Sequence, residues 1–222
     1  MDLSQATSSL IHAGVRIGPG AEIGPFCILG QPCPGETPGQ RSTEIGRGAV
    51  IRSHTVIYAG NRIGDNFMTG HGALIREDNR IGDDVSVGSH SIVEHHVVIG
   101  NGVRVHSQAF IPEFSVLEDE AWIGPNVVLT NVPHPRCPKA NECVKGPTIR
   151  RGAKIGANAT LAPAIEIGIG ALVGSGAMVV KSVPPGAVVA GNPARIVKSI
   201  DELTCPYDLI EHPYPPLESL IR

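Results

Sequence analysis

At 222 residues and 41% hydrophobic residues the chain has the size of one large domain or two small ones; 27 glycines, 19 prolines and only 4% aromatics point to a narrow, aliphatic interior. A formal charge of −3, with lysines and arginines scattered, leaves no footprint for nucleic acid, and no apolar run reaches the roughly 18 residues that span a bilayer. The opening "MDLSQATSSL" lacks a basic stretch followed by an apolar one, and Cys27, Cys33, Cys137, Cys143 and Cys205 fit no Cys-x-x-Cys frame, so we expect a cytoplasmic protein with reduced thiols.

From Ile11 onward an aliphatic residue recurs at every sixth position: Ile11, Ile17, Ile23 and Leu29, then Ile45 by sixes to Leu129, then Ile149 by sixes to Val179. Thr69 is the one departure. Four residues after each comes a mostly small or β-branched residue, such as Val15, Ala49, Ala73, Ala109 and Ala159. A helix, whose face returns every 3.6 residues, has no use for this period. Three short strands per turn of a parallel coil do: the large aliphatic fills the interior, the small residue packs beside it, and Gly, Asn and Asp make the turns. The expected fold is all-β, a triangular prism of about eight coils stacked at roughly 4.8 Å. Cys27 and Cys33 both fall at the inward small position and read as core filler.

The count breaks twice. "QPCPGETPGQRST" after Leu29 and the stretch between Leu129 and Ile149 are turn chemistry that must leave the prism as loops, 31–43 and 131–148. Pro184 and Pro185 are expected to end the ladder. The coil domain is therefore assigned to residues 1–197, and 198–222 to a short helix at "SIDEL" and a Pro-rich tail that lies as a lid on the last coil.

With inward positions filled by the core, chemistry belongs to outward ones, and residues eighteen apart stack in columns. One edge gathers Arg76, Glu77, Glu94, His95, Glu113 and Asn131; a neighbouring edge gathers Ser53, His54, His71, Ser89, His90 and His106. So many groups titrating near neutral pH on adjoining edges exceed what packing asks for.

The repeat, covering Ile11 to about Val197, resembles that of the hexapeptide-repeat acyltransferases, whose left-handed parallel β-helices are typically homotrimers with active sites between subunits. The resemblance implies acetyl-CoA or another acyl-CoA as co-substrate, a small-molecule sugar as acceptor and no metal. "LTNVPHP" resembles the loop of thiogalactoside and maltose acetyltransferases that supplies a catalytic histidine; His134 matches it, although Pro133 departs from their pattern. "VEHHVVIG" resembles the stretch of nucleotide-amino-sugar N-acetyltransferases in which "EHE" provides the base; His95 matches that histidine, and His96 replaces the second carboxylate. "IGANATLAPAIEIGIGALVGSGAMVV" resembles the CoA-binding end, which implies Gly156, Ala157, Gly174 and Ser175 as the cradle and Lys181 and Arg195 as phosphate contacts. A pantetheine arm spanning about three to four coils then places the sulfur nearer His134, with Arg76, Glu77, Glu94, His95, His96, Glu113, His71 and Asn131 toward the acceptor. Among these enzymes "TGHGALIRE" and "VEHHVVIG" look most like those that acylate nucleotide-linked amino sugars; hydroxyl acceptors also occur among relatives. Two other classes stand beside this one. The γ-class carbonic anhydrases bind Zn²⁺ with histidines spaced much like His54, His90 and His95, but His90 and His95 occupy different steps of their hexads. A non-catalytic scaffold would bind no CoA.

Overall fold

The computed structural model describes residues 9–221, and the period of six governs them. Nearly every hexad start closes a two- or three-residue strand, the exceptions being Leu29 in Ile28–Gln31 and Ile57 in Val56–Tyr58, and strands eighteen residues apart pair in parallel, as in the run Ile57, Ile75, Val93, Ile111. Three sheets of nine, eight and ten strands result, wound into a left-handed β-helix. Between Leu29 and Val179 no hexad start is more than 5% exposed. The inward position four residues on is mostly small or β-branched as expected, Val97 and Val127 included, with Phe67 the large exception. Replacing the fully buried Leu117 by alanine should cost about 2–5 kcal/mol, read as a lowered midpoint in urea at unchanged slope.

The turns between sheets form three vertices. At each, the third residue after the hexad start adopts a left-handed conformation, including Asp78 (φ 59°), His96 (φ 57°) and Phe114 (φ 62°). Because this residue recurs every eighteen positions, its side chains stack along one edge. Beneath the vertex joining the first and second sheets lies a buried polar ladder in place of alanine. Asn61 donates to the carbonyls of Tyr58 and Arg76, Asn79 donates to Arg76, and Ser115 donates to Pro112. Each buried amide is satisfied, so the ladder fixes the backbone that carries the outward residues of this vertex.

The outward strand positions give each face its own chemistry. On the first sheet Val56, Leu74, Ile92, Phe110 and Val128 follow one another in register. The second carries Arg16, Glu44, Arg62 and Arg80, and the third carries Met68, Ser86, Arg104, Trp122 and Lys154.

The first loop leaves after Ile28–Gln31 and returns at Thr43–Ile45; the second separates Val128–Leu129 from Thr148–Ile149. Arg41 ties the first loop down by binding Glu36 at 2.8 Å and Asp78 on the first vertex. Cys27 is buried core, but Cys33 is not the core filler its spacing suggested. It rides in the ejected loop, where its Sγ accepts from Arg41 Nη2 at 2.9 Å and burial pushes its thiol pKa up.

Pro184 and Pro185 do not end the ladder. They fall at a vertex, where Gly186 supplies the N–H to Ile169, and Ala187–Gly191 then pairs with Leu172–Val173 before turning back as Ala194–Ser199. "SIDEL" forms a 3₁₀ turn over Ile200–Glu202, capped reciprocally by Ser199 and Glu202. The tail is no lid on the last rung. Its helix, Leu217–Ile221, lies along the side of the prism against the turn glycines of the vertex between the second and third sheets. A Cβ on Gly170 would stand 2.7 Å from Leu220 Cδ1, and one on Gly186 2.7 Å from Leu217 Cδ2. Only glycine leaves the groove that these leucines fill.

Candidate active site

The first vertex concentrates charge. Arg76 grips Glu77 through two hydrogen bonds of 2.8 and 2.9 Å and reaches Glu94 at 3.3 Å, while its guanidinium lies 5.2 Å from the Tyr58 ring centre. Burial raises the Glu77 carboxyl, but the Arg76 bonds outweigh it and hold the pKa below the ordinary carboxylate value.

One coil step along, His95 Nε2 stands 3.4 Å from Glu113 Oε2, and His95 Nδ1 stands 2.8 Å from His96 Nδ1. Phe114 packs its ring edge-on to His95, with centres 6.0 Å apart. Glu94, His95 and Glu113 each offer a ligand atom within 4.8 Å of the other two, a spacing compatible with a cation, although Arg76 already balances Glu94. The geometry supplies a histidine held by a carboxylate, which is what proton transfer at a reacting centre needs.

The spacing places Glu113 in the same column as His95 but does not by itself pair them; the structure does. Asn131 continues the same column, its carbonyl accepting from Lys145 N. His134 is exposed on the second loop, with no side-chain hydrogen bond among the described residues. His71 is not with the Arg76 cluster. It lies on the vertex between the third and first sheets, bonded to Ser53 Oγ at 2.8 Å, because a residue two after a third-sheet strand must turn there. His54 and His90 share that vertex as well, so within one chain the three histidines His54, His90 and His95 do not converge.

A second concavity, of about 510 Å³, opens on the third face in the C-terminal coils. Gly156, Ala157, Gly174 and Ser175 form its floor, and Trp122, Lys154 and Tyr214 its walls. A Cβ on Gly156 would meet Ser175 N at 2.5 Å and Val173 O at 2.7 Å, so the floor is kept bare by packing. Burial lowers the pKa of Lys154, whose Nζ donates to Gly152 O at 2.7 Å and sits 4.7 Å from the Tyr214 ring centre. Lys181 and Arg195 do not line this cavity. Lys181 follows a first-sheet strand and so projects from the first vertex, and Arg195 is exposed on the final hairpin. Conversely, Trp122 and Lys154, which no motif singles out, are register partners on adjoining rungs, a relation that stacking the third-face column makes visible once the second loop is left out of the count. Nothing in the repeat foretells Tyr214.

The family described as bacterial transferase hexapeptide (six repeats) matches residues 80–113, the segment that carries the histidine–carboxylate pair. That match covers 34 of the 222 residues, and over them the chain is similar to the hexapeptide-repeat transferases. The chain is 42% identical over 82 residues to a 2,3,4,5-tetrahydropyridine-2,6-dicarboxylate N-acetyltransferase of Clostridium perfringens, covering 37% of this chain and 32% of the relative. To the enzyme of the same name from Staphylococcus aureus it is 40% identical over 81 residues, covering 36% and 31%. The match thus spans about a third of each relative. A UDP-N-acetylglucosamine acyltransferase of Bacteroides fragilis superposes with a TM-score of 0.57 at 16% identity, over 86% of this chain and 74% of the other, a likeness of fold.

Proposed function

We propose that the chain is an acyl-CoA-dependent N-acyltransferase that acetylates the amino group of a nucleotide-linked sugar, with His95 as general base. The pairing of His95 with Glu113 carries this reading, and the N-acetyltransferase relatives of the matched segment support it. Glu113 favours the tautomer with the proton on Nε2, which leaves the lone pair on Nδ1. His96 donates to that lone pair in the free chain, and the acceptor amine takes its place. His95 Nδ1 then accepts the amine's proton as nitrogen attacks the thioester carbonyl, Glu113 stabilises the imidazolium, and the proton passes to the departing thiolate. A backbone N–H of the coil stabilises the oxyanion. Glu94 and Glu77, held by Arg76, offer hydrogen-bond acceptors to the acceptor's polar groups. Gly156, Ala157, Gly174 and Ser175 would admit the pantetheine arm against bare backbone, with Lys154 as a cation at its side.

In a three-sided prism the first vertex is the one opposite the third face. The pair and the cavity therefore face away from each other in one chain, and a complete site takes two copies. We propose a homotrimer in which the apolar first face of one subunit packs on the third face of the next. The charged second face stays in solvent, and the first vertex, bordering the packed face, meets the neighbour's cavity. Mass-spectrometric screening of acetyl-CoA with nucleotide-linked amino sugars and free amino sugars tests the activity. Acetylated nucleotide-amino sugar is the expected product; no acetylation across the panel would refute the reading.

A further inference from the structure

The second face, next to the first vertex, carries an excess of positive charge that neither the fold nor the proposed chemistry uses. Arg62 and Arg80 are direct register partners on adjoining parallel strands, so their side chains project side by side at roughly the 4.8 Å rung spacing. Like charges in this relation are destabilising. The outward column reads Arg16, Glu44, Arg62, Arg80, and Glu44 is engaged by Arg16; three guanidiniums against one carboxylate leave two positive charges. Both Arg62 and Arg80 are exposed, and neither has an ion-pair partner within 4.0 Å among the described residues. The nearby carboxylate of Asp78 is spoken for by Arg41 of the first loop.

These arginines line a concavity of about 430 Å³ together with Asp78, His96 and Val98. His96 is the residue in contact with His95 Nδ1, so the concavity opens directly beside the proposed base. Val98 is 44% exposed and offers an apolar surface against which a ring can lie. Relative to His95, the arginines are on N-terminal rungs and the glycine-floored cavity on C-terminal ones, so the two sit on opposite sides of the reacting centre.

We propose that Arg62 and Arg80 form a diphosphate subsite that holds the nucleoside-diphosphate end of the acceptor and presents its sugar amine to His95. This rests on the acyltransferase reading for its orientation, but its binding test does not. Two guanidiniums at rung spacing can be bridged by adjoining phosphates, each giving charge-assisted hydrogen bonds. A diphosphate is also present in CoA, so both sources enter the experiment.

Isothermal titration calorimetry of the full chain with UDP, inorganic pyrophosphate and acetyl-CoA, each at two salt concentrations, decides it. For the variant carrying Arg62→Gln and Arg80→Gln, UDP and pyrophosphate affinity should fall at least about tenfold and lose much of its salt dependence. Acetyl-CoA affinity and the melting temperature should stay as in the wild type. UDP affinity within twofold of wild type, or no UDP binding by the wild type, overturns the subsite. A parallel loss of acetyl-CoA binding assigns the diphosphate to CoA and overturns it equally. If acetyl-CoA fails to bind the wild-type chain while UDP binding depends on the arginines, the acyltransferase reading falls and the anion subsite stands.

Discussion

His95→Ala should lower kcat at least about a hundredfold, which is about 2.7 kcal/mol of lost transition-state stabilisation, with acetyl-CoA affinity little changed. The expectation follows from position. His95 is held on a vertex fixed by a buried asparagine ladder, with Glu113 on one ring nitrogen and a replaceable partner on the other. Glu113→Gln keeps the shape but removes the charge that stabilises the imidazolium, and should cost about tenfold or more in kcat. His134→Ala is the informative control. Sequence resemblance favours His134 beside the thioester, yet it is exposed on the second loop and makes no side-chain hydrogen bond among the described residues. Turnover that survives His95→Ala and collapses in His134→Ala would transfer the base to the loop. Steady-state rates and CoA titrations on the two variants separate these outcomes.

The fold was legible because a period of six with one large aliphatic has a single economical packing, and the register of Ile57, Ile75, Val93 and Ile111 follows from it. The same arithmetic located the Arg76–Glu77–Glu94–His95–Glu113 column, since a solenoid turns sequence spacing into spatial adjacency. It failed wherever the chain leaves the coil. Cys33 obeys the count but sits in a loop whose path is set by Arg41 reaching Asp78, a contact no periodicity contains. The count itself places His71 with His54 and His90 on the neighbouring edge, where it lies; only the resemblance draws it toward the acceptor. The tail was misplaced because its anchor is the absence of side chains at Gly170 and Gly186, and in a sequence rich in turn glycines such a groove has no separate signature.

Mixing two inactive variants should restore activity. His95→Ala destroys the first-vertex pair but leaves the third-face cavity intact; Ala157→Trp fills the cavity, whose floor Ala157 helps form, and leaves the pair intact. If each site joins the first vertex of one subunit to the third face of the next, a subunit with Ala157→Trp lends its His95 to the cavity of a subunit with His95→Ala. Random reassembly from equal amounts makes about a quarter of the sites whole in a cyclic trimer, so about a quarter of wild-type activity should return after joint unfolding and refolding. A site contained within one chain gives no recovery, because every chain carries one lesion. Phe110→Glu bears on the same geometry from the other side. Phe110 stands in the apolar outward column of the first sheet, and a carboxylate there replaces the ring's apolar contact and must shed its water against the third face that we propose covers it. The variant should run as a monomer in light scattering and lose acyl transfer, although both halves of each site remain chemically complete. A Phe110→Glu chain that stays active as a monomer would overturn the two-copy site, since the pair and the cavity would then serve one another within one chain.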